Sequence, residues 1–382
     1  MRTLSAYIHI PFCASRCGYC DFNTYTAAEL SRDGTSITTT TYPDRVIAEI
    51  NWLRNQSLAE DRQISTVFFG GGTPTMISAA NLVRILDAAK TAYGFADDAE
   101  ITTEANPDSV SLENLETLRN GGFTRISFGH QSSARNVLQI LERTHTPGKT
   151  WQAISDARKA GFEHVSVDLI YGTPGETDQD LAETLNDVAK ADVDHVSAYS
   201  LIVEPGTKLA ARVARGEVAQ PSDDVAAHRY GIIDAALKNM GMTWYEVSNW
   251  AKPGGECRHN IAYWKNQDWL GIGPGAHAHN CGTRSWNVKH PAAWAALVDA
   301  GSSPTADLEY LDQTDIAHEE IMLRLRLREG LELKVLNEAG IAQAKLAVTE
   351  GLLEAADFAN GKAVLTYQGR LLADGLVARL WA

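Results

Sequence analysis

No run of about eighteen apolar residues occurs in this chain of 382 residues, so the sequence predicts no transmembrane helix. Cysteine is scarce: five in all, an odd number, with three of them inside eight residues. That excludes a disulfide framework and fits a reducing compartment. Basic charge is in deficit. The 34 Lys and Arg against 48 Asp and Glu leave a net charge of −14, which argues against a surface built for nucleic acid. The start, Met1-Arg-Thr-Leu-Ser-Ala-Tyr7-Ile-His-Ile-Pro11, becomes strand-like too soon for a secretory leader. These absences together lead to the expectation of a cytoplasmic protein. The rest of the composition, 44% hydrophobic and 21% charged, is that of an ordinary globular chain long enough for two or three domains.

The stretch around which the chain is organised is Cys13-Ala-Ser-Arg-Cys17-Gly-Tyr-Cys20. It follows the apolar run Leu4 to Phe12, which has the composition of a strand and is stopped by Pro11. The thiols therefore sit on a loop leaving a strand. Three thiolates can hold three irons of a cubane cluster and leave the fourth iron open to a non-protein ligand. Zinc prefers four closed ligands and two-cysteine redox motifs need only two, so both explain the spacing less well.

Strand-like stretches at 4–10, 64–69, 101–104, 124–128, 164–170 and 195–201 alternate with helical patterns at 42–55, 79–93, 111–120, 149–160 and 177–191. This alternation predicts a parallel α/β array, with chemistry collected at the carboxyl ends of the strands. Those ends are polar or glycine-rich: Gly70-Gly-Gly-Thr73, Glu104-Ala-Asn106, Gln131, Asp168 and Tyr199-Ser200. Residues 23–41, rich in Thr and Ser, form a long first loop read as a lid over the site or an insertion.

The three-cysteine spacing after a first strand resembles the signature of the radical SAM superfamily. Its members bind a [4Fe-4S] cluster whose open iron chelates S-adenosylmethionine, and they cleave that cofactor reductively to a 5′-deoxyadenosyl radical. The resemblance implies a partial (β/α)6, TIM-like barrel, a cluster on Cys13, Cys17 and Cys20, and Tyr19 as the aromatic before the third cysteine. It further implies that Gly71, Gly72 and Thr73 contact the methionine part of the cofactor and that Glu104 binds its ribose hydroxyls. Tyr7, Gln131, Arg143, Asp168, Ser200 and His277 fall at further cofactor-contacting positions.

Within that superfamily the chain resembles the family of oxygen-independent coproporphyrinogen III oxidase and its haem-chaperone paralogue. The oxidase pattern continues to a further cysteine, whereas Asp21-Phe22 follows Cys20 here, and the oxidase has a longer segment ahead of its cluster. The segment His259-Asn260-Ile-Ala-Tyr263-Trp264 matches the HNxxYW pattern of the chaperone group, which is linked to haem. The resemblance thus implies haem as ligand and haem-dependent proteins such as respiratory enzymes as acceptors, without coproporphyrinogen III oxidase activity. The alternative is the oxidase itself. A nucleic-acid-modifying radical enzyme is disfavoured by the acidic charge. The expected organisation is a barrel over 1–240, a connecting segment over 241–300, and a mainly helical, winged-helix-like domain over 305–382 that packs on the barrel.

Overall fold

The computed structural model describes residues 3–32, 37–56, 62–144, 146 and 148–381. Six parallel strands run side by side in chain order: β1 (Leu4–Ile10), β2 (Ile64–Gly71), β3 (Phe95–Ala105), β4 (Arg125–Gln131), β5 (His164–Tyr171) and β6 (His195–Ser200). Helices return the chain between them, among them α1 (Tyr42–Asn55), α2 (Ala79–Tyr93), α3 (Leu112–Asn120), α4 (Arg135–Ile140), α5 (Lys149–Lys159) and α6 (Asp178–Lys190). Each helix start has a local cause. Pro43 opens α1, the Ser78 and Ser111 side chains accept from Asn81 and Asn114, and Thr177 with Asp180 forms a reciprocal capping box.

The strands alternate in character. Ile8, Val67, Ile126, Val167 and Val196 are fully buried in one cluster with the inner faces of α1, α2 and α3. The opposite parity carries Tyr7, Thr66, Thr102, Ser127, Ser166 and Ser197, which face an interior shared by all six strands. A parallel sheet covered by helices on both faces would be apolar at both parities. The polar parity therefore marks a barrel wall with a lumen on its inner side, in agreement with the expected α/β, TIM-like barrel.

The stretch 241–300, expected as a connecting segment, extends the sheet at both edges. β7 (Thr243–Glu246) and β8 (Asn249–Ala251) pair antiparallel, and β8 adds to β6. Helix α7 (Arg258–Trp264) follows, and then β9 (Asp268–Ile272) adds parallel to β1. β10 (His277–Asn280), β11 (Thr283–Asn287) and β12 (Thr305–Tyr310) continue antiparallel to the far edge, giving a twelve-stranded sheet. The C-terminal part has its own core of Ile321, Leu325, Leu331, Leu353, Leu376 and Leu380. Its helices include Gln313–Arg324, Glu338–Thr349 and Ala373–Leu380, and its one two-stranded sheet pairs Leu331–Glu332 with Lys362–Ala363. Arg370 fixes it to the barrel, donating to Asp234 at 2.8 Å and to Tyr230 Oη at 3.0 Å. Among the described residues no helix is long and apolar enough to cross a membrane.

Candidate functional site: a thiol-lined pocket at the strand ends

The site begins where β1 ends. Phe12–Cys13 pairs with Tyr25–Thr26, so the intervening residues are held as a loop over the carboxyl end of the barrel. The loop is tied down by backbone: Gly18 donates to the Leu141 carbonyl at 3.0 Å and accepts from Leu209 at 2.7 Å. Asn23 Nδ2 donates to the carbonyls of Pro274 and Lys289. Of the lid reading for 23–41, residues 33–36 lie outside the described residues; 23–32 pack on the barrel as a two-residue strand and a short helix.

Cys13, Cys17 and Cys20 line one cavity of ≈ 350 Å³ together with Tyr19, Gly71, Gly72, Thr73, Glu104, Gln131, Arg143 and Asp168. Desolvation pushes the Cys13 thiol up to about 11, helped by the neighbouring Cys20 and Cys17, and raises Cys20 in the same way. The free Cys13 and Cys20 thiols are thus protonated at neutral pH, and metal binding must displace their protons. Arg143 stands over them. Its Nη1 donates to Cys17 Sγ at 3.6 Å and Nη2 to the Gly129 carbonyl at 2.9 Å, while the buried Nε has no partner. A guanidinium there favours thiolates. Among the described residues no three Cys, His, Asp or Glu side chains converge on a single ion position.

The glycines of the second strand end are sterically required. A Cβ on Gly71, whose φ is +111°, would lie 2.5 Å from the His9 ring, and one on Gly72 would lie 2.5 Å from the Phe12 carbonyl and 3.0 Å from Cys13 Sγ. Gly71 N–H donates to Glu104 Oε2 at 3.1 Å. Burial first, then Asp168, pushes the Glu104 carboxyl up to about 8. Asp168 is raised by burial too, although Ser127 Oγ donates to both its oxygens at 3.1 and 3.2 Å. Gln131 adopts a φ of 62°, and its buried Oε1 has no partner. A strained strand-end residue with an unspent acceptor belongs to a ligand site rather than to a core. The donor set of three thiols, the cradle that a Cβ would fill, and the orphan atoms of Arg143 and Gln131 fit a sulfur-held cluster with a polar organic ligand beside it.

A second cavity of ≈ 330 Å³ continues from the first down the lumen, sharing Tyr19, Phe22, Glu104, Gln131 and Asp168 as its rim. Tyr7 lines this lower cavity, with its hydroxyl 3.1 Å from His9 Nδ1. Tyr199 is hemmed in by protein yet keeps 47% of its surface, which it presents to the cavity. His259, Asn260 and Tyr263 line it as well, on α7 at the barrel floor. His259 is 1% exposed, stacks on Phe68, and has both ring nitrogens engaged: Nδ1 with Thr66 Oγ1 at 2.8 Å and Nε2 with Tyr263 Oη at 2.9 Å. Burial lowers its pKa to about 3. Trp264 lines neither cavity.

Two expected cofactor contacts lie apart from the pocket. Ser200 ends β6 beside Tyr171 and lines neither cavity. His277 is exposed on β10, stacked at 27° on Trp286, because the glycine-rich loop ahead of it carries the chain out to the sheet extension. Residues not anticipated from sequence also line the sites: Asp108, Ser109 and Thr144 above, and Thr102, Arg125 and His195 below. The polar parity of the strands was the available signal for the lower three.

The model of the Radical SAM superfamily matches residues 7–188, which span β1 to α6 and all three cysteines. The heme chaperone HemW of Mycobacterium tuberculosis is 47% identical over 99% of this chain and 95% of its own length. HemW of Bacillus subtilis is 34% identical over 97% of both chains. Coproporphyrinogen III oxidase (HemN) of Escherichia coli, a radical SAM enzyme, superposes with a TM-score of 0.82 over 99% of this chain and 90% of that one, at 24% identity, a likeness of fold. With matches of this length reaching from the cluster loop through the C-terminal helices, the chain belongs to the heme chaperone HemW family of the radical SAM superfamily.

Proposed function

We propose that this protein binds haem and passes it to haem-dependent acceptors such as respiratory enzymes, on a scaffold that holds a [4Fe-4S] cluster and S-adenosylmethionine. The full-length match to the haem chaperones carries this reading. The pocket fits it, with Cys13, Cys17 and Cys20 for the cluster, Gly71 to Thr73 and Arg143 for the methionine end, and Glu104 for the ribose. When bound, cluster and cofactor together supply one-electron reductive cleavage. Asp21-Phe22 in place of a further cysteine favours the chaperone over the oxidase.

For the haem ligand we favour His277 over the expected His259. An axial ligand needs a free ring nitrogen and room for a macrocycle. His259 offers neither, so the His259, Asn260, Tyr263 and Trp264 motif would act on haem only through the barrel floor. His277 is exposed beside the flat Trp286 ring. Its pKa is lowered by partial burial, Lys289 and Arg284, so the imidazole is neutral; Lys289 suits a haem propionate, Arg284 being already paired with Glu309 and Glu319.

The test is an anaerobic haem titration. His277→Ala should shift the Soret band and weaken binding about tenfold or more, the loss of one strong ligand bond, while His259→Asn leaves the band in place. An unshifted band in His277→Ala would return the ligand role to another histidine. Protoporphyrinogen IX formed from coproporphyrinogen III with reductant and cofactor would overturn the chaperone reading itself.

A further inference from the structure

The floor of the lower cavity holds unpartnered polar atoms that neither the haem reading nor the cofactor pocket uses. Three of its lining residues, Thr102, Arg125 and His195, are 0%, 1% and 3% exposed, and each carries a buried polar atom without a partner: Thr102 Oγ1, Arg125 Nη1 and His195 Nδ1. In native interiors such atoms are rare, and three in one cavity call for a ligand or ordered solvent.

The hydrogen-bond network decides their polarity. Arg125 is held on its other edges, with Nε donating to Glu100 at 3.1 Å and Nη2 to the carbonyls of Gly255 and Glu256 at 2.8 and 3.0 Å. Only Nη1 remains, and a guanidinium nitrogen can only donate. Asn260 Nδ2 donates to Tyr245 Oη at 3.3 Å, and Tyr245 Oη lies 2.8 Å from His195 Nε2. In the arrangement where Tyr245 accepts from Asn260 and gives its own hydrogen to Nε2, His195 Nε2 is the acceptor. Burial keeps the His195 imidazole neutral, so in that tautomer its one proton sits on Nδ1. The Thr102 hydroxyl supplies a third donor. The floor thus presents donors without a matching acceptor, one of them on a cation. That is the complement of a carboxylate.

We propose that the floor of the lumen binds the carboxylate of a small linear organic acid, whose chain extends up the barrel toward the cofactor pocket. A cavity of ≈ 330 Å³ takes an acid of a few carbons and excludes a porphyrin. At the upper end the Glu104 carboxyl, raised to about 8, is largely protonated at neutral pH, and burial raises Asp168 as well, which eases their repulsion of an acid. The site stands on these side chains alone and is independent of where haem binds.

The experiment uses the full chain, without cluster or haem, and ligand-observed NMR titration with propionate and hexanoate against their primary amides. Saturable binding of an acid is expected, with the amide at least about tenfold weaker, the difference that a charge-assisted contact makes. Thr102→Val, which keeps the shape and removes one donor, should weaken the acid about tenfold and leave the amide nearly unchanged. Arg125→Gln should abolish acid binding. Because that variant also breaks a buried ion pair, its folding is checked by circular dichroism, and Thr102→Val stands as the independent arm. Neither acid saturating, equal affinity for acid and amide, or Thr102→Val binding like wild type would each overturn the proposal and leave the floor as a solvent site.

Discussion

Glu104 gives the sharpest test of the site, because the same carboxylate that suits a ribose should destabilise the empty barrel. In the cofactor-free protein its pKa is raised from an ordinary 4.5 to about 8, by burial first and by Asp168 second. Below 4.5 the carboxyl is neutral in both folded and unfolded chains and contributes nothing. Between 4.5 and about 8 only the unfolded chain ionises, so stability falls as pH rises through that window, and above it the loss is complete. At about 1.4 kcal/mol per pKa unit the ceiling is about 5 kcal/mol. Glu104 keeps part of its surface on the pocket, where solvent screens it, so about 1–2 kcal/mol is the expected size. Glu104→Gln keeps the shape and an acceptor for Gly71 N–H. Urea unfolding of the cofactor-free proteins should show the variant more stable by that amount above pH 8 and indistinguishable below 4.5. Its affinity for S-adenosylmethionine after cluster reconstitution should fall about tenfold, the loss of charge on a ribose acceptor. A stability difference that does not change with pH, or a variant less stable at high pH, would refute the argument.

Two further outcomes follow from the thiol loop. Cys17→Ala should lose most iron and sulfide on anaerobic reconstitution, and a normal cluster content would remove Cys17 from the ligand set. Gly72→Ala forces a Cβ to within 2.5 Å of the Phe12 carbonyl, so it should cost about 1–3 kcal/mol by denaturant melt and displace Cys13 enough to lower cluster occupancy; full occupancy with unchanged stability would show that the cradle is not needed.

The barrel was legible because its punctuation is local. Residues 42–55 and 79–93, read as helices, match Tyr42–Asn55 and Ala79–Tyr93, since Pro43, the Ser78 cap and Gly94 act within a turn of each end. Two of the strands run two to three residues past the carboxyl ends read for them: Gly70, Gly71 and Gln131 look like turn residues but still pair with neighbours. What escaped was non-local. β9 to β12 are short, and their pairing with β1 and with each other is decided by contacts across the chain rather than within it. The small sheet of the C-terminal part is non-local in the same way, Lys362–Ala363 pairing with Leu331–Glu332 some thirty residues upstream. Burial of the HNxxYW segment was equally hidden, because His, Tyr and Trp read the same in a floor as on a face.

The lumen itself was written in the strands, in a form easily taken for ordinary alternation. Six parallel strands with Thr, Ser, Tyr, Arg and His on one parity cannot turn that parity to a helix layer without stranding polar groups in an apolar seam. The remaining solution is to turn it inward to a common space, and the register does so: Tyr7 beside Phe68, Glu104 beside Ser127, and Asp168 beside Ser197. A barrel needed only to display a cofactor at its mouth could fill that space with Val, Ile and Leu, as packed barrels do. Here the floor keeps Thr102 Oγ1, Arg125 Nη1 and His195 Nδ1 without partners. Each such atom costs about 1–3 kcal/mol when left dry. A chain that retains this cost beneath its cofactor pocket retains it for something that enters the barrel, and the donors name its chemistry.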